Sequence, residues 1–431
     1  MLVSFSFSNF KSFKDENKIS LVASQNDENG VYTHPTPFGY SVLKSAAVYG
    51  ANASGKTKLF DAMNYMRSVV CPPQRGKVPS FDFWKNRYDA FRLNTYSQEE
   101  KSFFEVVFIL DDIQYRYGFE QDANGISEEW LYRKSSRERL ILSRNGDKPQ
   151  MTVSRNYFST KRFSSIESAG MVSQDALLLA VLAAFNDPLA KDIVGWFETL
   201  TVISANELRT PIKALMDEEQ KKQIIRFLQV FDINIEDLSM HEISPDSIPE
   251  KIRSMIGEDG LKGTVYDGVS TTHKIYNELY EKTGTAQFMM EIDESFGTNR
   301  LLCLAWPILK ALQEGSVLFI DEIDSGIHQF VICAILELFY RVTGKAQLIL
   351  NTHNASLLNL SYKMSNGKPL FRKDQIYIVS KNRYGESNVY PATDFRTDMR
   401  SNIEKLYLDG KLTGVPHVDL DTLFEIANHG S

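Results

Sequence analysis

Cysteine and long hydrophobic runs are both scarce in this 431-residue chain. The three cysteines, Cys71, Cys303 and Cys333, have neither the spacing of a metal site nor that of a disulfide framework. No segment approaches the ~18 consecutive apolar residues that a membrane helix needs. The first residues, MLVSFSFSNFKSF, lack the small-residue cleavage site of a signal peptide. We therefore expect a cytoplasmic protein with reduced, buried cysteines and no membrane contact.

An excess of positive charge is missing as well. The chain has 48 basic and 55 acidic residues, so its net charge is −7. This balance argues against a generally basic nucleic-acid binder, although a local basic patch stays open because basic residues cluster at 133–144 and 161–162. Apolar residues make up 43% of the chain and charged residues 24%, which is a globular balance. Its length suits two or three domains of about 150 residues, or one large domain with an insertion.

Short apolar segments alternate with segments of helical spacing along the chain. The predicted strands cover residues 2–7, 19–23, 43–49, 103–110, 114–120, 317–320, 347–350 and 376–380. The predicted helices cover residues 57–70, 175–185, 188–198, 210–230, 300–313 and 329–342, with Pro307 interrupting the fifth. Strands that alternate with helices indicate an α/β fold with parallel strands.

A glycine-rich loop follows the predicted strand at 43–49. Residues 50–57 read GANASGKT, which matches the pattern G-x-x-x-x-G-K-[ST] of a phosphate-binding loop. Backbone N–H groups of such a loop converge on phosphate oxygens, and the next helix directs its positive end at the same anion. Lysine reaches the β- and γ-phosphates, and the last hydroxyl ligates Mg²⁺. The predicted binding residues are Gly50, Asn52, Ala53, Ser54, Gly55, Lys56 and Thr57.

Two carboxylates end a second apolar strand. Asp321 and Glu322 follow the run VLFI directly, and acids at the end of a buried strand usually face a site. Asp321 is predicted to complete the Mg²⁺ shell with Thr57. Glu322 is predicted to accept a proton from an attacking water. The two motifs together predict nucleoside triphosphate hydrolysis.

These motifs and several others resemble the ABC-type ATPase heads of the SMC and RecF proteins. The set most resembles prokaryotic AAA-family ATPases of the RloA and AbiLi kind, with the AriA subunit of PARIS and the OLD ATPases as wider relatives. The further matching segments are NFKSF at 9–13, YRYGF at 115–119, ESFGTNR at 294–300, IDSGIH at 323–328, NTHN at 351–354 and LYLDG at 406–410.

The resemblance implies a role for several further residues. Ser295, Gly297 and Thr298 match the ABC signature, which in such heads closes on the nucleotide held by a second copy. Asp324 matches the D-loop, and His353 matches the switch histidine that contacts the γ-phosphate. No Q-loop glutamine can be assigned, and Gln98 and Gln114 are only candidates for it.

The resemblance also implies an architecture: an ABC-type P-loop ATPase head with a mainly helical insertion. The head is expected at 1–160 and 286–431, and the insertion at 161–285. The implied cofactors are ATP and Mg²⁺. The implied partners are a second copy in a head-to-tail dimer or higher homo-oligomer, and a separate effector such as an RloB-like protein or a Toprim nuclease. About 50 residues follow the last predicted strand, so no nuclease domain is expected there.

The expected function is an ATP-hydrolysing sensor or regulator in bacterial defence against phage, with a phage trigger left open. Two alternatives remain at this point. One is a DNA-repair ATPase of the RecF or SMC type that closes on DNA, and the other is a nucleotide-bound scaffold with slow turnover.

Overall fold

A computed structural model describes residues 1–24, 27, 30–71, 88–146, 150–205, 209–243, 265–359, 363–395 and 403–412, together with 424 and 426. The chain divides into two compact units. The first comprises residues 1–204, 311–323 and 333–431, and the second comprises 205–310 and 324–332. Among the described residues, no helix combines the length and the hydrophobicity required to cross a bilayer.

A six-stranded sheet forms the centre of the first unit. In spatial order its strands are β11 (Thr201–Ile203), β15 (Val317–Ile320), β16 (Gln347–Asn351), β5 (Ser45–Gly50), β17 (Ile376–Lys381) and β18 (Ser387–Pro391). The strands are parallel except for β18, which is antiparallel to β17 at the edge. Strands β5, β15 and β16 are buried along their whole length, as apolar runs in a covered parallel sheet should be. Their carboxyl ends therefore meet at one edge of the sheet.

A seven-stranded antiparallel sheet completes the first unit. Its order is β10-β9-β8-β7-β6-β1-β2, where the strands are β1 (Leu2–Ser8), β2 (Asn17–Ser20), β6 (Ser102–Leu110), β7 (Ile113–Asp122), β8 (Gly125–Lys134), β9 (Glu138–Asn145) and β10 (Gln150–Val153). The predicted strands at 103–110 and 114–120 form a hairpin, and Asp111 and Asp112 are its turn residues. Both residues have positive φ, 47° and 59°, as a two-residue hairpin turn of the primed type requires. A short ribbon pairs β3 (Thr33–Pro35) with β4 (Ser41–Leu43).

Both units contain helices. They are α1 (Lys56–Val70), α2 (Thr160–Ser168), α3 (Leu178–Ala184), α4 (Pro188–Thr199), α5 (Ile212–Leu215), α6 (Glu218–Val230), α7 (Phe296–Glu314), α8 (Gln329–Arg341) and α9 (Ile403–Leu408). Asp187 caps α4 by accepting a hydrogen bond from the Ala190 N–H, as its position before Pro188 predicts. Pro307 does not interrupt α7.

Helices α2–α4 belong to the first unit, although the sequence analysis assigned residues from 161 onward to the insertion. Their apolar faces pack against the antiparallel sheet. The rings of Phe108 and Trp196 stack at 4.1 Å, and Phe197 meets Phe108 and Tyr117 edge-on at about 6 Å. After α4 the chain enters the parallel sheet as β11. The division therefore falls after residue 204 because these helices complete the core of the first unit.

The second unit contains helices and a three-stranded antiparallel sheet. The sheet order is β12 (Asp237–Ile243), β13 (Val265–Tyr276) and β14 (Lys282–Met289). In the second unit, helices α5 and α6 come first, up to Val230, and strands β12–β14 follow. The predicted α/β fold with parallel strands is confirmed: in the first unit, a mostly parallel sheet that precedes the glycine-rich loop is accompanied by a large antiparallel sheet.

Candidate functional site

The glycine-rich loop connects β5 to α1, in the strand–loop–helix context that the sequence predicts. Lys56 is buried, and its ammonium group donates hydrogen bonds to the carbonyl oxygens of Gly50 and Ala51 at 2.8 and 3.0 Å. The lysine is thereby folded across its own loop. The Tyr407 hydroxyl of α9 hydrogen-bonds the Gly50 backbone, and burial raises the pKa of that hydroxyl. The LYLDG segment at 406–410 thus contributes to the beginning of the loop.

Close contacts explain why the first and the sixth residues of the motif, Gly50 and Gly55, are glycines. A Cβ atom at Gly50 would lie 2.4 Å from the Val379 carbonyl oxygen. Gly55 has a φ of +117°, and a Cβ atom there would lie 2.6 Å from the Ser387 Oγ. The Ser387 hydroxyl donates to the Ser54 carbonyl at 2.6 Å and lies 2.9 Å from the Ser12 Oγ. Ser387, the first residue of β18, therefore helps to hold the loop in place through its hydrogen bond to Ser54.

The predicted metal ligands meet at the carboxyl ends of β5 and β15. Thr57 Oγ1 donates to Asp321 Oδ1 at 3.2 Å, and Asp321 is 1% exposed. Asn351, the last residue of β16, donates its amide N–H to the same carboxylate oxygen. The Asn351 side-chain oxygen accepts the Glu322 backbone N–H at 2.6 Å. One asparagine thus contacts both members of the acid pair.

Glu322 and His353 lie at the same cavity as the loop. The cavity has a volume of about 890 Å³, and its lining includes Lys11, Ser12, Asn52, Ala53, Ser54, Gly55, Lys56, Thr57, Lys58, Asp89, Ala90, Phe91, Arg92, Leu93, Glu322, His353, Lys381 and Gly385. A volume of this size accommodates a drug-sized or nucleotide-sized ligand. The structure therefore brings together the predicted phosphate loop, the predicted base and the predicted switch histidine.

The donor set fits a magnesium ion that is shared with phosphates. Mg²⁺ usually takes one or two protein oxygens and completes its octahedron with water and substrate phosphates. Thr57 and Asp321 supply one hydroxyl and one carboxylate, and they lie beside a loop built for phosphate. Within the described part of the chain, no group of three or more His, Cys, Asp or Glu side chains could hold a metal by itself.

The predicted signature and D-loop belong to the second unit, so they are described separately from the cavity. Ser295 precedes α7, and its hydroxyl accepts the Thr298 N–H at 3.1 Å, as an N-cap does. A Cβ atom at Gly297 would lie 2.5 Å from the Gly326 carbonyl oxygen. The signature therefore contacts the loop that contains Asp324, and glycine is required for this approach.

Some contributors to the cavity were missed by the sequence analysis. Ser387 and the segment 89–93 carry no motif, whereas Asn351 could have been recognised as a polar residue that ends an apolar strand, as Asp321 follows another. The glutamines Gln98 and Gln114 are not among the lining residues. Gln98 donates to the Arg92 carbonyl, and Gln114 accepts from the Tyr40 hydroxyl.

Sequence comparison identifies the family. Residues 45–359, more than half of the chain, match the family described as "AAA domain, putative AbiEii toxin, Type IV TA system". The chain belongs to this AAA family. ATPases with an AAA domain generally bind ATP with Mg²⁺. No curated protein is similar enough in sequence to count as a match.

Solved structures that resemble this AAA-family chain include heads of SMC proteins. The SMC head domain from Thermotoga maritima shares 13% identity, covers 90% of this chain and 98% of its own, and has a TM-score of 0.40. An SMC head bound to the C-winged helix domain of ScpA shares 16%, covers 90% and 96%, and has a TM-score of 0.41. A head with an extended coiled coil, bound to the C-terminal domain of ScpA from Pyrococcus furiosus, shares 16%, covers 90% and 95%, and has a TM-score of 0.37.

Proposed function

We propose that this chain binds and hydrolyses ATP and that the cycle regulates a separate effector in bacterial defence against phage. The observation that carries the ATPase proposal is the cavity of the first unit. It unites a phosphate-binding loop, a hydroxyl–carboxylate pair suited to Mg²⁺, a second carboxylate and a histidine. Each of these groups has a distinct role in phosphoryl transfer to water.

The roles follow from the chemistry of the side chains. Loop N–H groups and Lys56 hold the β- and γ-phosphates, and bound Mg²⁺ supplies neutralisation of phosphate charge. Glu322 accepts the proton of the attacking water. His353 contacts the γ-phosphate and reports its presence to the rest of the chain. Lys56 has to exchange its bonds to Gly50 and Ala51 for phosphate oxygens, which a nearby flexible ammonium can do without moving the loop.

A second copy completes the proposed site. Ser295, Gly297, Thr298 and Asp324 would face the nucleotide held by the partner copy, so two ATP molecules would be sandwiched in a head-to-tail pair. In support, Ser295 caps the start of a 19-residue helix, whose N-terminus favours an anion. Hydrolysis would remove the γ-phosphate that both copies contact, and the pair would loosen.

The defence role is supported by sequence resemblance. The motifs resemble those of RloA-like and AbiLi-like ATPases, and the description of the matching family includes the words "putative AbiEii toxin". Such ATPases are encoded with a separate effector, for which an RloB-like protein or a Toprim nuclease is the proposed class. ATP-bound pairs would hold the effector, and a phage signal would release it.

The test compares Glu322→Gln and Lys56→Ala with the wild type. We expect Glu322→Gln to bind ATP but to lose phosphate release by a factor of about 10²–10⁴, the usual contribution of a general base. It should also stay as a nucleotide-locked dimer or larger assembly when its mass is measured by light scattering in Mg-ATP. Lys56→Ala should lose ATP binding. The exposed Glu99 serves as a matched control, because Glu99→Gln makes the same chemical change away from the cavity.

Two results would contradict the proposal. If Glu322→Gln releases phosphate as the wild type does, the assignment of the base is wrong. If the mass of every variant is unaffected by nucleotide, the closing pair is wrong, and a constitutive scaffold becomes the better interpretation.

A further inference from the structure

Asn351 occupies an unusual place for an amide side chain. It ends β16, which lies between β15 and β5 in the parallel sheet, and it is 0% exposed. The four residues that follow Gln347 in this strand are Leu, Ile, Leu and Asn. A buried amide is unfavourable unless its hydrogen-bonding groups are satisfied, so its partners indicate what it does.

Those partners are three consecutive residues at the end of β15. The amide group of Asn351 donates to the Asp321 carboxylate, and its side-chain oxygen accepts the Glu322 N–H at 2.6 Å. Its backbone carbonyl accepts the Ile323 N–H at 3.2 Å. The orientation of the amide follows from this chemistry. The backbone N–H of Glu322 can only donate, so the oxygen must face it, and the NH₂ group then faces the acceptor carboxylate.

The contact is made where the backbone of the acid pair is strained. Glu322 has a φ of 47°, a left-handed conformation that residues other than glycine, asparagine and aspartate rarely adopt. Such a conformation persists only when neighbouring groups hold it. The Asn351 oxygen is the acceptor bonded to the N–H of that residue, so it helps to fix the direction of the Glu322 side chain. The same amide also helps to orient the Asp321 carboxylate, because it and the Thr57 hydroxyl both donate to Oδ1.

We propose that Asn351 is a positioning residue for ATP hydrolysis, because its one amide group orients both the metal-binding Asp321 and the basic Glu322. This inference rests on the proposed function. It assigns Asn351 no contact with the nucleotide, so its loss should change turnover and the Mg²⁺ requirement while leaving Mg²⁺-free nucleotide binding by the phosphate loop intact. Outer-shell groups that orient metal ligands typically contribute 10–100-fold to metal affinity or activity.

Two variants that keep the number and branching of the side-chain heavy atoms test the inference. Asn351→Asp keeps the acceptor for the Glu322 N–H but loses the donor to Asp321, whereas Asn351→Leu loses both. We expect kcat to fall about 10–100-fold in each, with the Kd for ATP in EDTA within about threefold of wild type. Mg²⁺ is expected to increase the affinity for nucleotide. In Asn351→Leu, the Mg²⁺ concentration at which half of this increase is reached should be about tenfold higher than in the wild type. Controls are the same two changes at Asn366, an exposed turn residue whose side-chain oxygen accepts the Lys368 N–H.

The outcomes separate this inference from the function on which it rests. If both folded variants keep kcat and the Mg²⁺ midpoint within about twofold of wild type, Asn351 does not position the acids. If Mg²⁺-free nucleotide binding and the thermal midpoint fall together with kcat, the role is general structural support, and the inference is also wrong. If the wild type releases no phosphate, the proposed function fails, yet the Mg²⁺ midpoint of nucleotide binding still decides the role of Asn351.

Discussion

Replacing Gly55 by alanine should disable the phosphate loop without unfolding the protein. The backbone φ of +117° is a conformation that an L side chain adopts only with strain, which costs about 1–3 kcal/mol. The new Cβ atom would lie 2.6 Å from the Ser387 Oγ and 3.0 Å from the Ser387 Cβ. Overpacking of this kind costs a further ~1–3 kcal/mol.

The loop is expected to bear this cost, because it is shorter and less constrained than the sheet that it contacts. Even the lower sum, about 2 kcal/mol, corresponds to about 30-fold weaker nucleotide binding at 1.4 kcal/mol for each factor of ten. Titration of a fluorescent ATP analogue into wild type and Gly55→Ala measures this difference. Ser387→Gly removes the contact but not the strain, and it also loses the hydrogen bond to the Ser54 carbonyl. Adding Gly55→Ala to Ser387→Gly should therefore weaken binding by a smaller factor than Gly55→Ala does in the wild type.

Gly39 provides a control that separates strain from contact. It also has a positive φ, +79°, but a Cβ atom there would meet nothing within 4 Å. Gly39→Ala should therefore lower the free energy of unfolding by about 1 kcal/mol and leave nucleotide binding unchanged. Wild-type affinity and stability in Gly55→Ala would refute the assignment of this loop geometry.

Two further predictions concern buried groups of the first unit. The Glu129 carboxylate accepts the Leu178 and Leu179 N–H groups at 2.6 and 3.0 Å. Glu129→Ala should therefore lower the free energy of unfolding, measured by urea denaturation, by about 3 kcal/mol. The control Glu128→Ala removes only an exposed ion pair and should lower it by less than about 1 kcal/mol. Equal effects of the two changes would contradict this capping role. Burial lowers the pKa of His34 from 6.5 to about 4, so the unfolded chain binds the extra proton first as the pH falls. The wild type should therefore lose about 3 kcal/mol relative to His34→Gln between pH 6.5 and pH 4, and parallel urea-stability curves would show that His34 is not held neutral.

Local patterns predicted the central parts of the site because each is encoded in a few adjacent residues. The apolar run before Gly50 gave β5, the GKT sequence gave the start of α1, and the run before Asp321 gave β15. Each of these segments lies within one strand–loop–helix element, so its secondary structure can be predicted from neighbouring residues.

Such local patterns could not predict contacts between segments that are distant in the sequence. Strands β8 and β9 contain charged residues that interrupt the alternation of polar and apolar side chains. Two of these charged residues are buried, and both bind partners that are distant in the sequence. Glu129 caps α3, and Arg144 donates to the Ala176 and Gln174 carbonyls. The order of the parallel strands likewise decides that Asn351 meets Asp321, since β16 lies beside β15 although 26 residues separate them in sequence. When the strand order is not known, Asn351 resembles any polar residue at the end of a strand.

The charges around the cavity bear on the alternative in which the ATPase closes on DNA. Its lining contains several cations, but most have an acidic partner. Lys11 and Lys58 both bind Asp61, at 2.6 and 3.3 Å, and Arg92 binds Asp89 at 3.0 Å. A DNA-binding surface needs a stripe of cations that neutralise successive phosphates, and partnered cations supply little of that charge. The cavity is suited to a small anion held by backbone N–H groups and Lys56, while the whole chain carries a net charge of −7. These charges favour control of a protein effector over closure on DNA as the output of the proposed ATP cycle.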